Sequence, residues 1–337
     1  MSPPANDYPL FDRFPALRTL PRAKLGRFPS PVTRAEMLAS GLWFKREDLD
    51  AEPLGGNKVR ALEMLLGPVQ RGDVVVTVGA AGSTHALATA IYARQLGARA
   101  LCFRWRQEMN DTARRVADRL TAELGSSRID RTVVASYVRA LAARWRGARW
   151  IPAGGSTPLG ILGQVNAALE LTRQVDAGDL PHPDRVVVPL GTGGTAAGLA
   201  LGFAIAGFDT EVIATRVVPR IVANARHVKG LIARTARLIE RLTRTTIARP
   251  NARSVRIVHE FYGGAYGRAT AAGNDVARRC LEQTGIPIDP TYGAKALAAA
   301  VTVAEQRGGK TLFWLSFDGR WMREDPTVER TNSVALG

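Results

Sequence analysis

Lysine is scarce in this chain. Only Lys24, Lys45, Lys58, Lys229, Lys295 and Lys310 are lysine among 46 Lys and Arg residues, so guanidinium is the default cation. An amine in such a chain stands where guanidinium cannot serve, because an amine can lose its proton and attack a carbonyl. Cysteine is scarcer still. Cys102 and Cys280 lie far apart and in no C-x-x-C pattern, which suggests neither a disulfide framework nor a zinc site. His85, His182, His227 and His259 are equally scattered, so no metal is expected. Long apolar runs are missing too. The most apolar stretch, TAAGLALGFAIAGF from Thr195, is short and glycine-rich beside the ~20 residues that cross a bilayer. The opening MSPPANDYPLFDRFPALRTLPRAKLG is polar and proline-broken, unlike a secretory leader, so a soluble, cytoplasmic protein is expected.

Acidic residues are also few, 30 against 46 basic ones, which leaves a formal charge of +16. The charge concentrates in RVVPRIVANARHVKGLIARTARLIERLTRTTIARPNAR from Arg216 and around Arg139 to Arg149. In both segments Arg alternates with apolar residues at helical spacing, as at Leu231, Leu238, Ile239 and Leu242. That is the pattern of an amphipathic helix with a solvated basic face. No aromatic-rich RNA-binding motif accompanies it, so specific nucleic-acid binding is not expected.

Strands and helices alternate along the 337 residues. RGDVVVTVGA reads as a buried strand before the helix THALATAIYARQLG, and ARALCFRW as another before DTARRVADRLTAELG. RWIPAGG leads into a capped helix beginning near Ser156; DRVVVPL enters GTGGTAAGLALGFAIAG; EVIATRVV precedes the basic helix. IDPTYGAKALAAAVTVAEQRGG and KTLFWLSFDG supply a last helix and strand. The alternation predicts an α/β protein with open parallel sheets and helices on both faces. No linker divides the chain, so a second domain is expected to be inserted rather than appended.

Three helix starts carry chemistry. GTGGT, Gly191 to Thr195, follows a strand and opens a helix. Its backbone N–H groups can cradle a phosphate, although it is neither a Walker sequence nor G-x-G-x-x-G. Ser83, Thr84 and His85 open another helix, either as a plain N-cap or as donors to a carboxylate helped by the helix dipole. GGNKVR places Lys58 at a third, where the dipole disfavours an ammonium. Gly55 and Gly56 allow a flat ligand to approach, and Asn57 offers a hydrogen bond. A Schiff-base amine, a phosphate cradle and a carboxylate cradle together describe an amino acid on pyridoxal phosphate.

FKREDLDAEPLGGNKVRALE, the Ser83-Thr84-His85 helix start, WIPAGGSTPLGILGQVNAALEL, VPLGTGGTAAGL, GGAYG and IDPTYGAKALA also occur in a family order. In this the chain resembles the 1-aminocyclopropane-1-carboxylate deaminase and D-cysteine desulfhydrase family from about Leu10 to Asp318. The resemblance implies a tryptophan synthase β-like, fold-type-II pyridoxal-phosphate enzyme. It implies a large domain of residues 1–60 and 164–337, a small inserted domain of 61–163, and a homodimer. Lys58 is then the Schiff-base lysine and general acid/base. Asn57 contacts the ring oxygen, Gly191, Thr192, Gly193, Gly194 and Thr195 hold the phosphate, and Ser83, Thr84 and His85 take the substrate carboxylate. Ser83 also lies near the reacting carbon, and Tyr266 and Tyr292 are the active-site tyrosines.

The chain departs from the family at Thr84, where Asn is usual. It departs again at Gly293, where deaminases carry Glu and desulfhydrases Thr facing the ring nitrogen. Ser316 or Asp318 is the expected substitute, in a turn that carries bulky Phe317. His85 and the missing Glu favour elimination from a small amino acid in the manner of D-cysteine desulfhydrase, giving a 2-oxo acid and ammonia. The alternatives are cyclopropane ring opening, β-replacement or racemisation, and, as a non-enzyme, a pyridoxal-binding or basic interaction protein.

Overall fold

The computed structural model describes residues 8–126 and 128–320. The chain begins with α1 (Pro9–Arg13), then β1 (Val32–Arg34), β2 (Leu42–Arg46) and α2 (Lys58–Leu65). Next come β3 (Val74–Ala80), α3 (Thr84–Gln95), β4 (Arg99–Trp105), α4 (Asp111–Leu124), α5 (Val133–Trp145) and β5 (Arg149–Ile151). The remainder is α6 (Pro158–Asp176), β6 (Arg185–Leu190), α7 (Gly194–Ala206), β7 (Glu211–Arg216), α8 (Ala225–Thr243), β8 (Val255–Val258), α9 (Ala271–Thr284), α10 (Gly293–Arg307) and β9 (Thr311–Leu315).

The strands form a six-stranded sheet, β1-β2-β9-β6-β7-β8, and a three-stranded sheet, β4-β3-β5. All pairings are parallel except the edge pair β1–β2, in which Val32 faces Lys45. An antiparallel edge on a parallel sheet is a common departure, since an edge strand needs no crossover helix. This edge, β8 and α9 were not expected from the sequence. They are short or weakly apolar and carry little periodic signal.

In the larger sheet successive side chains point to opposite faces, the period-two geometry of a strand. Val186, Val188, Leu312 and Trp314 join the core beneath α6, α7 and α8, while Val187, Ile213, Phe313 and Leu315 pack under α10. The basic segment is α8, which buries Val228, Leu231, Ile232, Ala236 and Ile239 and turns its Arg-rich face outward. In the smaller sheet Val75 packs with α3 and α4, and Val76 and Val78 pack with Ala140 and Ala143 of α5. Among the described residues no helix is long and apolar enough to cross a membrane.

A buried ion network beneath α2 ties it to the end of β2 and to α6. Arg60 Nε lies 2.9 Å from Glu47 Oε1, Arg60 Nη1 lies 2.9 Å from Glu170 Oε2, and Lys45 Nζ donates to Glu170 Oε1 at 2.6 Å. Lys45 and Glu47 of FKRED and Arg60 of GGNKVR therefore belong to one cluster, which fixes the helix whose first residue is Lys58.

Candidate active site

A cavity of about 510 Å³ opens at the carboxyl ends of β3, β4, β6, β7 and β9, between the two sheets. Ligands of parallel α/β proteins commonly bind at this end of the strands. The volume lies within the ~300–1,000 Å³ of sites for drug-sized ligands.

Lys58 is half-buried and lines this cavity as the first residue of α2. Burial pushes its amine down from 10.5 to about 8, and among the described residues no neighbouring charge or hydrogen bond offsets the effect. Desolvation thus does what the sequence assigned to the helix dipole. Asn57 is fastened on three sides. Its N–H donates to the Ser316 carbonyl (3.0 Å), its carbonyl accepts from Gln164 Nε2 (2.7 Å), and its Nδ2 donates to Thr195 Oγ1 (2.8 Å). The lysine loop, the glycine loop and the end of β9 are thereby joined.

In the glycine loop Gly193 is the N-cap of α7, at φ 86°. A Cβ there would be strained by the left-handed backbone and would press within 3.3 Å of Leu231 and Val228. Side chains cap α4, α5, α6, α8 and α9, but none caps α7. Its first N–H groups are left for an anion. Ser156 does not cap α6, a role taken by Thr157; its Oγ pairs with Thr192 Oγ1 at 2.6 Å and steadies the cradle.

Ser83 caps α3, accepting from the Ala86 N–H at 3.2 Å, and Thr84 and His85 follow it along the cavity wall. His85 is buried, with Nε2 3.2 Å from Thr77 Oγ1. Burial, then the Lys58 charge, push its pKa down to about 3, so the ring is neutral and offers no cation to a carboxylate. The anion-binding capacity of this helix start rests on its backbone N–H groups and hydroxyls.

Tyr266 and Tyr292 meet hydroxyl to hydroxyl across the cavity wall, their rings 5.9 Å apart and nearly perpendicular. Burial pushes Tyr266 up to about 12, partly offset by its hydrogen bond with Tyr292, and burial together with the Tyr266 phenol raises Tyr292 well above its ordinary value. Both are neutral near pH 7.

The structure separates the two candidates for the ring nitrogen. Ser316 lines the cavity, and its hydroxyl has no partner among the described residues. Asp318 is buried elsewhere and is held by Arg320 Nε and Nη2 at 2.9 and 2.8 Å. Gly293 does not face the cavity; a Cβ there would lie 2.7 Å from Asp289 Oδ2 and 2.9 Å from Ile288 Cγ2. The Glu or Thr of the resembling family would have to displace the Asp289 and Ile288 side chains.

Two positioning residues escaped the sequence reading. The buried Asp289 carboxylate accepts the N–H groups of Thr291, Tyr292 and Gly293 at 3.1, 2.7 and 2.8 Å and so sets the tyrosine turn. Its signal was the Asp-Pro pair of IDPTYG, a frequent turn initiator. Asn110 caps α4 and donates Nδ2 to the Gly267 carbonyl (2.8 Å) and Thr291 Oγ1 (2.9 Å), clasping both tyrosine loops from the smaller sheet. Nothing local marks that role.

Comparison with known proteins supplies the class. A family profile described as pyridoxal-phosphate dependent enzyme matches residues 23–316. The chain belongs to that family, and its fold is the fold-type-II arrangement of two open α/β sheets. Nocardicin C-9′ epimerase of Nocardia uniformis subsp. tsuyamanensis is 32% identical across 88% of this chain and 92% of its own. D-cysteine desulfhydrase of Salmonella paratyphi B is 27% identical across 86% and 90%. A solved structure described as an ACC deaminase homologue superposes with a TM-score of 0.76 at 27% identity, covering 92% of this chain and 94% of that one. The cofactor of the family is pyridoxal phosphate, and the site fits it: an amine and a hydroxyl without partners among the described residues, and a helix start without a side-chain cap, open onto one cavity.

Proposed function

We propose that this enzyme is a lyase or deaminase of amino acids with D-cysteine desulfhydrase-like chemistry, converting its substrate to a 2-oxo acid and ammonia, and releasing sulfide where that substrate is cysteine. The observation that carries the reading is the Lys58 amine, poised near pH 8 without a counter-charge, in one cavity with two helix starts able to receive anions.

Pyridoxal phosphate, when bound, draws electrons from the carbon beside the joined amine and so eases loss of a proton or a β-substituent. Lys58 would hold its aldehyde carbon, the N–H groups of Gly191 to Thr195 its phosphate, Asn57 its ring oxygen and Ser316 its ring nitrogen. A hydroxyl at the ring nitrogen brings no charge, which favours the desulfhydrase-like reading over one that needs an acid after Tyr292. Ser83, Thr84 and His85 would orient the substrate carboxylate with backbone N–H groups and hydroxyls. Freed by substrate, the Lys58 amine is the base best matched to neutral pH for taking the Cα proton. The neutral tyrosine pair acts as donor and orienting group, since neither phenol ionises near neutrality.

Residues 61–163 would form the smaller domain, inserted between 1–60 and 164–337. A cytoplasmic homodimer completes the proposal. The free thiols Cys102 and Cys280 suit a reducing compartment, and sedimentation measures the dimer. The deciding experiment is borohydride reduction of the coenzyme-saturated chain followed by peptide mass spectrometry, with keto-acid release measured from D-cysteine, L-cysteine, D-serine and aminocyclopropane carboxylate. An adduct on Lys58 and pyruvate from a cysteine are expected; a saturated chain without the adduct refutes the reading.

A further inference from the structure

The cavity contains more wall than a cysteine would use. Beyond the lysine and the two helix starts it continues between Trp105, Val133 and Tyr137 of the smaller sheet's layer and Val218, Pro219 and Val222, which follow β7. Val133, Tyr137 and Val222 are 45%, 41% and 40% exposed, so an apolar surface is held open at the mouth rather than buried in the core.

This wall is built rather than incidental. The rings of Trp105 and Tyr137 stack at 6.1 Å and 20°, and Tyr137 leans on Trp150 at 6.2 Å. The opposite side is a turn closed by the Val222 N–H on the Pro219 carbonyl at 3.0 Å, and Val217 N–H is tied to Leu190 at the entrance to the glycine loop (3.1 Å). The aromatic side is fastened to the carboxylate-binding helix start. Ala81 N–H donates to the Trp105 carbonyl at 2.9 Å and Gly82 N–H to Gln107 Oε1 at 3.1 Å, directly before Ser83. An amino acid whose carboxylate rests at Ser83 to His85 therefore has this apolar annex beside it to receive its side chain.

We infer that the substrate is a cysteine S-conjugate, a β-thioether of alanine bearing an aromatic or bulky apolar group on sulfur. The inference rests on the desulfhydrase-like reading and names its substrate class. In the reaction the Cα–H bond breaks with the proton passing to the Lys58 amine. The Cβ–S bond breaks with its electron pair on sulfur, and water completes the conversion to pyruvate, ammonia and the free thiol RSH. Atoms balance with one water, and no oxidant or reductant is needed. The stacked rings and the apolar turn bind the R group that leaves with the sulfur.

The holoenzyme is assayed with S-benzylcysteine and with cysteine in both configurations, reading pyruvate and, for the conjugate, benzyl thiol. For the reactive configuration kcat/KM for the conjugate is expected to exceed that for cysteine by roughly tenfold or more, as burial of a benzyl group allows. Tyr137→Ala and Trp105→Ala are expected to collapse that ratio toward unity. Tyr137→Phe, which keeps the ring and reports on folding, retains it. Pyruvate from cysteine with no preference for the conjugate overturns the inference and leaves the desulfhydrase-like reading standing. Pyruvate from none of the four compounds overturns both.

Discussion

Tyr266 and Tyr292, 26 residues apart in sequence, share a hydroxyl-to-hydroxyl hydrogen bond in the cavity wall. One hydroxyl donates and the other accepts, which leaves one proton of the pair free for a ligand. Asp289 holds the turn beneath Tyr292 with three N–H bonds, and Asn110 holds the loops of both tyrosines. Tyr292→Phe removes one hydroxyl and strands the other. Loss of kcat by about 10²–10⁴-fold is expected if the pair moves or orients a proton. The adduct on Lys58 after borohydride should persist, because neither phenol holds the cofactor's aldehyde. A kcat within twofold of wild type would remove the tyrosines from the chemistry.

The Lys58 amine carries a cost in stability. Its pKa falls from 10.5 unfolded to about 8 folded. Between these values the unfolded chain binds more protons, so this residue makes stability rise with pH over that interval; below pH 8 the full penalty is present. In the coenzyme-free protein Lys58→Met should therefore raise the melting temperature at pH 7, by a stabilisation of up to about 3 kcal/mol, discounted for its partial exposure to the cavity. The gain should shrink as pH climbs toward 10. Thermal melts of both proteins across that range measure it, and a pH-independent difference would contradict the burial account.

The network under α2 makes the opposite prediction. Burial raises the Glu170 carboxyl, but Arg60 and then Lys45 outweigh it and hold it at about 2. A depressed carboxylate pKa stabilises above its unfolded value, near 4.5, and the contribution is lost as pH falls toward 2. Arg60→Met leaves Glu47 and Glu170 buried with less compensation, and about 3–5 kcal/mol of stability should be lost near neutral pH. Denaturant unfolding at pH 7 and pH 4 should show a smaller difference between the proteins at the lower pH. Because Arg60 lies two residues beyond Lys58, coenzyme affinity should fall as well.

The chain's own order of residues carried the helix starts. GTGGT, Ser83 at the end of a buried strand and GGNK are local signals, because capping, dipole and glycine conformation act over a few residues. The alternation of β3, α3, β4 and α4, and of β6, α7 and β7, was legible for the same reason: apolar period reports which faces are buried. The scarcity of lysine singled out Lys58 before any contact was known.

Tertiary structure decided everything that depends on distance across the chain. It brought Lys45, Glu47, Arg60 and Glu170 into one cluster, gave Asn110 and Asp289 their positioning roles, and joined the tyrosines. It also placed Ser316 in the cavity wall, held Asp318 against Arg320 and closed Gly293 against Asp289. It replaced the dipole with burial as the reason the Lys58 amine is weakly basic, and it opened an apolar wall that composition does not announce. A pKa and a cavity depend on which atoms exclude water from a point, and those atoms come from segments that only folding brings together.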